Sequence, residues 1–357
     1  MSAVPDRVCI VLLTGLGDVV NGLPLANTLK ATNPRCHVTW VAEPMPAQIL
    51  RPHPAVDEVV VYEKRRGVAG VLDLRRKLRG RRFDLTLNLN VYFKSVWPTL
   101  LSGAPRRIGF GRDRAREGVW LAANEHLPAR PQRHNVDMFL EFAEHLGVPV
   151  GGVEWRIPIT GEERRAQAEF FAPLAGRPVA AVVPAASLRS RTWFADRYAR
   201  VVDALEHDFG FRTMLVGGRG ERELRVAEEI VERASAKPLW AMGRPVREMV
   251  WQLEGSNLVV SPDTGPLHVA RALRVPVVGL YGQTNPWRTG PYPGSDYPEL
   301  WVDRYTDPGE KPDPSNFTPK LGRMEQITVQ DVLERVEHAL RHHLGGPAPR
   351  ATEVERG

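Results

Sequence analysis

A chain of 357 residues is long for a single hydrophobic core and of ordinary size for two domains. With 43% hydrophobic and 25% charged residues it has the composition of a soluble globular protein, which sets aside fibrous and low-complexity classes. The net charge of +6 is uneven: residues 1–160 carry 22 Lys and Arg against 15 Asp and Glu, residues 161–357 carry 26 against 27, and 64–116 holds 15 against 3. That basic stretch reads either as a solvated arginine-rich surface or as a region that concentrates an anionic partner. With no zinc-finger, RNP or helix-turn-helix signature beside it, nucleic acid is not the expected partner.

The first segment, "MSAVPDRVCIVLLTGLGD", has no cationic leader and too short an apolar run for a signal peptide or a membrane span. Cys9 and Cys36 supply no disulfide framework and no metal-ligand spacing, so a cytoplasmic, reducing compartment is expected. Strands are then predicted at 7–13, 37–42, 58–62, 84–89 and 106–110, with helices near 18–31, 68–80, 92–102 and 134–147. The strands are β-branched and almost wholly apolar, the pattern of a parallel sheet covered on both faces. A second series follows: strands at 178–184, 212–218, 237–242, 257–262 and 275–282, helices near 195–209, 220–235, 245–254 and 266–273. A final helix over 328–344 follows a Pro-rich loop at 306–319, and 345–357 reads as a disordered tail.

Two βα series imply an α/β chain of two doubly wound, Rossmann-like domains: 1–165, then 175–325, with the 328–344 helix expected to pack back on the first. In open α/β sheets ligands bind beyond the carboxyl ends of the strands, so two such domains are expected to face each other across an interdomain cleft. After the first strand comes "TGLGDVVNGLP" (14–24). Gly15 and Gly17 suit a tight turn and close approach of a ligand. Asp18 opens the helix, either as a capping acid or as a general base. A dinucleotide fingerprint with Glu43 as its ribose acid is only half matched, because Val20 stands at the third glycine position.

The richest corner is "SPDTGPLH" (261–268). Pro266 suits a first helical turn, and the helix N–H groups with the Thr264 hydroxyl make an anion site beside an accessible Gly265. His268, one turn in, is either a satisfied buried histidine or a donor to a phosphate oxygen. Asp263 either fixes the loop or accepts a sugar hydroxyl. "PAASLRSRTW" (184–193) adds Ser187, Arg189 and Arg191, guanidinium groups suited to a diphosphate in a metal-free site, whereas Trp193 could equally be core. "GGRGE" (217–221) offers Glu221 to ribose hydroxyls, and "GQTNPWRTGPY" (282–292) supplies a further polar strand end.

Over about residues 15–325 these motifs resemble glycosyltransferase family 9, the heptosyltransferases of lipopolysaccharide core synthesis. The resemblance rests on "GLGDVVNGLPLANTLKATNP", "DTGPLHVARALRVPVVGLYGQTNPWRTGPY" and the Pro184–Trp193 stretch, with "RRIGF" and "GGRGE" falling in order. It implies a GT-B fold and an inverting, metal-independent transfer, without cofactor, from a nucleotide-diphosphate sugar, typically ADP-heptose. By position Asp18 matches the catalytic base. Ser187, Arg191, Glu221, Asp263, Thr264, Gly265, Pro266 and His268 fall to the donor, and Gly17, Lys64, Arg65 and Arg66 to an anionic, lipid-linked glycan acceptor. Arg191 stands where the family usually has lysine, Ala185 where it has glycine and Phe194 where it has proline. The expected protein is a monomer, peripheral on the cytoplasmic face of the inner membrane, its arginine-rich helix at 68–83 either resting on the bilayer or simply solvated. The rivals are a nucleotide-sugar epimerase on the same fold, a Rossmann NAD-dependent oxidoreductase and a binding protein without turnover.

Overall fold

Four of the five residues of the first strand, β1 (Arg7–Val11), are buried, because helices cover both faces of the sheet it founds. There follow α1 (Leu16–Thr32), β2 (His37–Ala42), α2 (Ala47–Leu50), β3 (Glu58–Val61), α3 (Gly67–Leu78), β4 (Leu85–Asn88), α4 (Val96–Leu101), β5 (Arg106–Gly109), β6 (Glu125–His126) and α5 (Asn135–His145). The strands pair in parallel in the order β3-β2-β1-β4-β5-β6, with Val8 opposite Val38 on one side and Leu85 on the other. This is the first of two units, Met1–Thr160, in a computed structural model that describes residues 4–174, 176–290, 292 and 297–344.

The second unit, Gly161–Gly357, repeats the plan. α6 (Gly161–Phe171) leads into β7 (Val179–Val182), α7 (Ala195–His207), β8 (Arg212–Gly217), α8 (Glu221–Arg233), β9 (Leu239–Met242), α9 (Val246–Glu254), β10 (Leu258–Pro262), α10 (Gly265–Ala272), β11 (Val277–Tyr281), α11 (Pro286–Thr289), β12 (Trp301–Asp303) and α12 (Val329–His342). Its all-parallel order is β12-β11-β10-β7-β8-β9.

Two expectations about boundaries change. α6 falls within the second unit, so the first does not run to 165: Glu163 pairs with Arg247 Nε at 2.6 Å, and Gln167 donates to the Trp251 carbonyl at 2.7 Å. The final helix, expected on the first domain, has Val332, Val336, Ala339 and Leu340 in the apolar core of the second. Those residues recur at 3.6-residue spacing, and burying that stripe beside α7 and β12 decides where the helix packs. The short strands β6 and β12 were not expected, being too brief for a period to show. The tail at 345–357 lies outside the described residues.

Candidate functional site

Each sheet reverses its winding once, between β1 and β4 in the first unit and between β7 and β10 in the second. The loops leaving those strands diverge, and the crevice they leave is where ligands bind in doubly wound sheets. Both motif-rich corners stand at such a point.

In the first unit the chain passes from β1 into α1 with Gly15 as the helix cap, at φ −64° and ψ 172°. Any residue adopts that φ, and a Cβ on Gly15 would meet nothing within 4 Å, so the turn itself does not demand a glycine there. Asp18 is the third residue of α1, which removes it from the cap position. Its half-buried carboxylate makes no hydrogen bond or ion pair among the described residues, although it lies in the favourable field of the helix N-terminus. Gly17 precedes it, half exposed.

Across the crevice, β4 ends in two buried asparagines that the sequence reading passed over. Asn90 accepts from the Leu13 N–H at 3.0 Å and donates to the Val11 carbonyl at 2.9 Å, so it ties the end of β4 to the end of β1. Lys94 follows in a 3₁₀ turn, half buried and without an ion-pair partner among the described residues. Burial, then the charge of Lys64, hold its pKa below the ordinary lysine value, opposed by Glu43, Asp18 and Glu117. One electrostatic neighbourhood thus joins Asp18, Lys94, Lys64 and Glu43. Lys64 pairs with Glu43 at 2.6 Å, which occupies the carboxylate a dinucleotide site would turn to ribose. Arg65 and Arg66, in the turn between β3 and α3, are exposed and unpaired among the described residues.

In the second unit Thr264 caps α10 with extended backbone (φ −154°, ψ 170°), Pro266 occupies its first turn, and Thr264, Gly265 and Pro266 remain half exposed. The Thr264 side chain makes no capping hydrogen bond, which leaves the positive end of α10 for an anion. Asp263 beside it is buried. Its Oδ2 lies 3.4 Å from Arg191 and 3.4 Å from the Thr289 hydroxyl, and its Oδ1 lies 3.4 Å from His268 Nε2. Burial pushes the Asp263 pKa up, but the His268 hydrogen bond, the charges of His268 and Arg191, and the Thr284 hydroxyl outweigh it and hold the pKa below the usual carboxylate value. Of the two roles left open for Asp263, its surroundings are those of a loop organiser.

Two buried nitrogens beside that carboxylate, His268 Nδ1 and Arg191 Nε, have no hydrogen-bond partner among the described residues. A buried polar group left unsatisfied costs about 1–3 kcal/mol, so this corner gains from a ligand that accepts hydrogen bonds. Beneath it, fully buried Arg271 donates to the Gly290 carbonyl at 2.7 Å; burial lowers its pKa to about 10 while Tyr281 and Asp263 act the other way. Gly282, past β11, is irreplaceable on packing grounds, since a Cβ would sit 2.6 Å from the Met324 nitrogen.

The structure therefore brings Arg191, Asp263, His268 and the start of α10 together. Ser187 is exposed on the same loop as Arg191, and its carbonyl accepts from Arg222 at 2.7 Å. Arg222, missed from sequence, also bonds the Ala186 carbonyl and pins that loop. Glu221 is not drawn in: it is exposed at the start of α8 and pairs with Arg225 at 3.1 Å. Trp193 is core, packed edge-on to Tyr198 at 4.9 Å. Elsewhere in this unit, Glu299, His338 and His343 place three potential metal-ligand atoms within 4.8 Å of one another. Among the described residues no helix is long and apolar enough to cross a membrane.

Known proteins resemble this chain in sequence and fold. The family profile described as glycosyltransferase family 9 (heptosyltransferase) matches residues 71–309. The chain is 30% identical over 293 residues to the lipopolysaccharide core heptosyltransferase OpsX of Haemophilus influenzae, covering 82% of this chain and 83% of that protein. Among solved structures, a family 9 glycosyl transferase from Veillonella parvula superposes with a TM-score of 0.77 at 24% identity, covering 95% and 98% of the two chains. The Escherichia coli heptosyltransferase WaaC, solved with ADP, gives 0.70 at 25% identity, covering 94% and 98%.

Proposed function

Because this chain belongs to glycosyltransferase family 9, we propose that it works as an inverting heptosyltransferase in which the first unit carries the base and the second holds the donor. The chain is an α/β, GT-B glycosyltransferase, and its relatives point to heptose transferred onto the lipopolysaccharide core. The observation that carries the site assignment is the corner of Asp263, Arg191, His268 and the open start of α10 at the switch point of the second sheet.

There the donor's diphosphate, that of ADP-heptose, lies on the N–H groups of α10 and the Thr264 hydroxyl, with Gly265 and Pro266 keeping the backbone approachable. Arg191 and His268 donate hydrogen bonds to its oxygens. Asp263 fixes the direction of both. Ser187 serves the rim of the same site, while Glu221, paired with Arg225, stands outside it. Arginine in place of lysine keeps the charge, and its planar fork can be held by a carboxylate while still facing a phosphate.

In the first unit Asp18, unpartnered and at a helix start, takes the proton from an acceptor hydroxyl. That oxygen forms its bond to the anomeric carbon as the bond from that carbon to the β-phosphate oxygen breaks. ADP leaves with its new charge stabilised by Arg191 and the α10 dipole, which requires no metal or cofactor. Gly17 lets the acceptor close to Asp18. Lys94, Lys64, Arg65 and Arg66 hold the anionic groups of a lipid-linked acceptor, and the enzyme works as a monomer at the inner-membrane surface.

The deciding experiment separates the two units' roles. Asp18→Ala should abolish transfer from ADP-heptose while calorimetry shows ADP binding unchanged. Turnover that survives the substitution removes Asp18 from the reaction.

A further inference from the structure

α4 is built inside out. With the 3₁₀ turn Phe93–Ser95 that precedes it, it turns Ser95, Thr99 and, just past its end, Ser102 into the protein. These hydroxyls are satisfied internally. Ser95 donates to the Tyr92 carbonyl at 3.2 Å, Thr99 to the Ser95 carbonyl at 2.8 Å and Ser102 to the Thr99 carbonyl at 2.7 Å, while Ser102 accepts from Thr86 at 2.8 Å. The opposite face presents Phe93, Trp97 and Leu100, spaced by four and three residues and 50%, 46% and 43% exposed. A helix on a soluble domain has the reverse pattern.

α3, packed beside α4, extends the same surface. Gly70, Leu74 and Leu78 face the core, while Val68 (77% exposed) and Leu72 (60% exposed) share the outward face with Arg75, Arg76 and Arg79. The 3₁₀ turn Val119–Ala122, also against α4, adds Leu121 at 74%. Seven of the twelve large hydrophobic side chains exposed among the described residues fall between 68 and 121. Single exposed apolar side chains are ordinary; a contiguous group framed by cations is not. Arg65, Arg66, Arg112 and Arg116, all exposed, complete that frame.

Building on the reading that the acceptor is membrane-borne, we propose that the α3–α4 face of the first unit docks on an anionic bilayer. Phe93, Trp97 and the neighbouring aliphatics enter the boundary between headgroups and acyl chains, and the arginines meet lipid phosphates. Aromatic and aliphatic side chains flanked by arginine are the pattern of interfacial anchoring, and cations near an anionic leaflet add to the attraction. A second copy of this chain is the poorer occupant, because a two-fold contact would set the same arginines against each other.

The test uses the full chain with vesicles of phosphatidylcholine mixed with phosphatidylglycerol, or of phosphatidylcholine alone, at low and high salt. Cosedimentation with the anionic vesicles is expected, weakening on removal of the anionic lipid or on raising salt. Phe93→Ser with Trp97→Ser should weaken binding by about tenfold or more, as should Arg75→Gln with Arg76→Gln and Arg79→Gln. Both variants should keep ADP affinity, which reports that they fold, and transfer to a detergent-dispersed acceptor. Failure of the wild type to bind vesicles, equal binding by both variants, or dimers that Phe93→Ser with Trp97→Ser dissolves would overturn the docking surface. Absence of transfer in detergent with vesicle binding intact would overturn the acceptor reading and leave the surface standing.

Discussion

Arg191 and Asp263, 72 residues apart in the chain, meet at 3.4 Å where the loops after β7 and β10 converge. The contact holds a half-exposed guanidinium by a buried carboxylate, so the free face of the fork has one direction rather than many. Asp263→Asn should lower ADP affinity about tenfold, the loss of one charge-assisted contact. Arg191→Lys should do the same by a different route, keeping the charge without the fork. Isothermal titration with ADP checks both, and unchanged affinity in Asp263→Asn would make the pair incidental.

Asp263 also links stability to acid. Its pKa is depressed in the folded protein, so its ionised form contributes stability that is complete above the unfolded value, about pH 4, and is lost as pH falls through the folded value. Denaturant titrations of wild type and Asp263→Asn from neutral to acid pH should show a constant difference above about pH 4 that shrinks below it. A difference that grows on acidification would reverse the sign assigned to this carboxylate.

Lys94 predicts an alkaline limb. Its pKa lies below the ordinary lysine value because it is half buried and faces Lys64, so affinity for an acceptor anion is full at neutral pH and falls as pH rises through that lowered value. Lys64→Met removes the repelling charge and should move the limb to higher pH. Lys94→Met should abolish it, raise KM for the acceptor and leave the melting temperature unchanged or higher, since a partly desolvated cation is gone. The pH dependence of acceptor KM in the three proteins is the measurement.

A chelator should leave transfer unaltered, because the proposed leaving-group stabilisation rests on Arg191 and the α10 start. The Glu299, His338 and His343 cluster provides the internal comparison. His338→Ala should not change turnover with or without chelator. Loss of transfer on chelation, restored by added divalent cation, would replace the guanidinium by a metal.

The doubly wound architecture was legible because buried parallel strands are nearly continuous apolar runs: β1, β2, β7, β10 and β11 all fall where their residues predict. The corner at Asp263 was legible too, since Thr264, Gly265 and Pro266 each have a backbone reason to stand at a helix start. Asn90, Lys94 and Arg222 were not. Each acts through a contact or a field from a distant part of the chain, Asn90 on Leu13 77 residues away and Arg222 on Ser187 35 residues away, and no local period encodes that. Glu221 shows the opposite case: a plausible residue after the right strand that the structure pairs with Arg225. α4 misleads for a physical reason, because hydroxyls that bond their own helix can be buried and so free the aromatic side to face outward.

Trp193 follows Arg191 by two residues, and its indole nitrogen donates to the Ile327 carbonyl at 3.1 Å, while Arg197 donates to the Glu325 carbonyl at 2.7 Å. The loop that carries the donor-facing guanidinium is thus stapled to the segment that leads into α12. A nonsense or frameshift lesion near codon 320 would leave every proposed site residue encoded and still release that staple. In a genetic screen such a late truncation should score with the loss of Arg191, as an enzyme defect and not as a trimmed end.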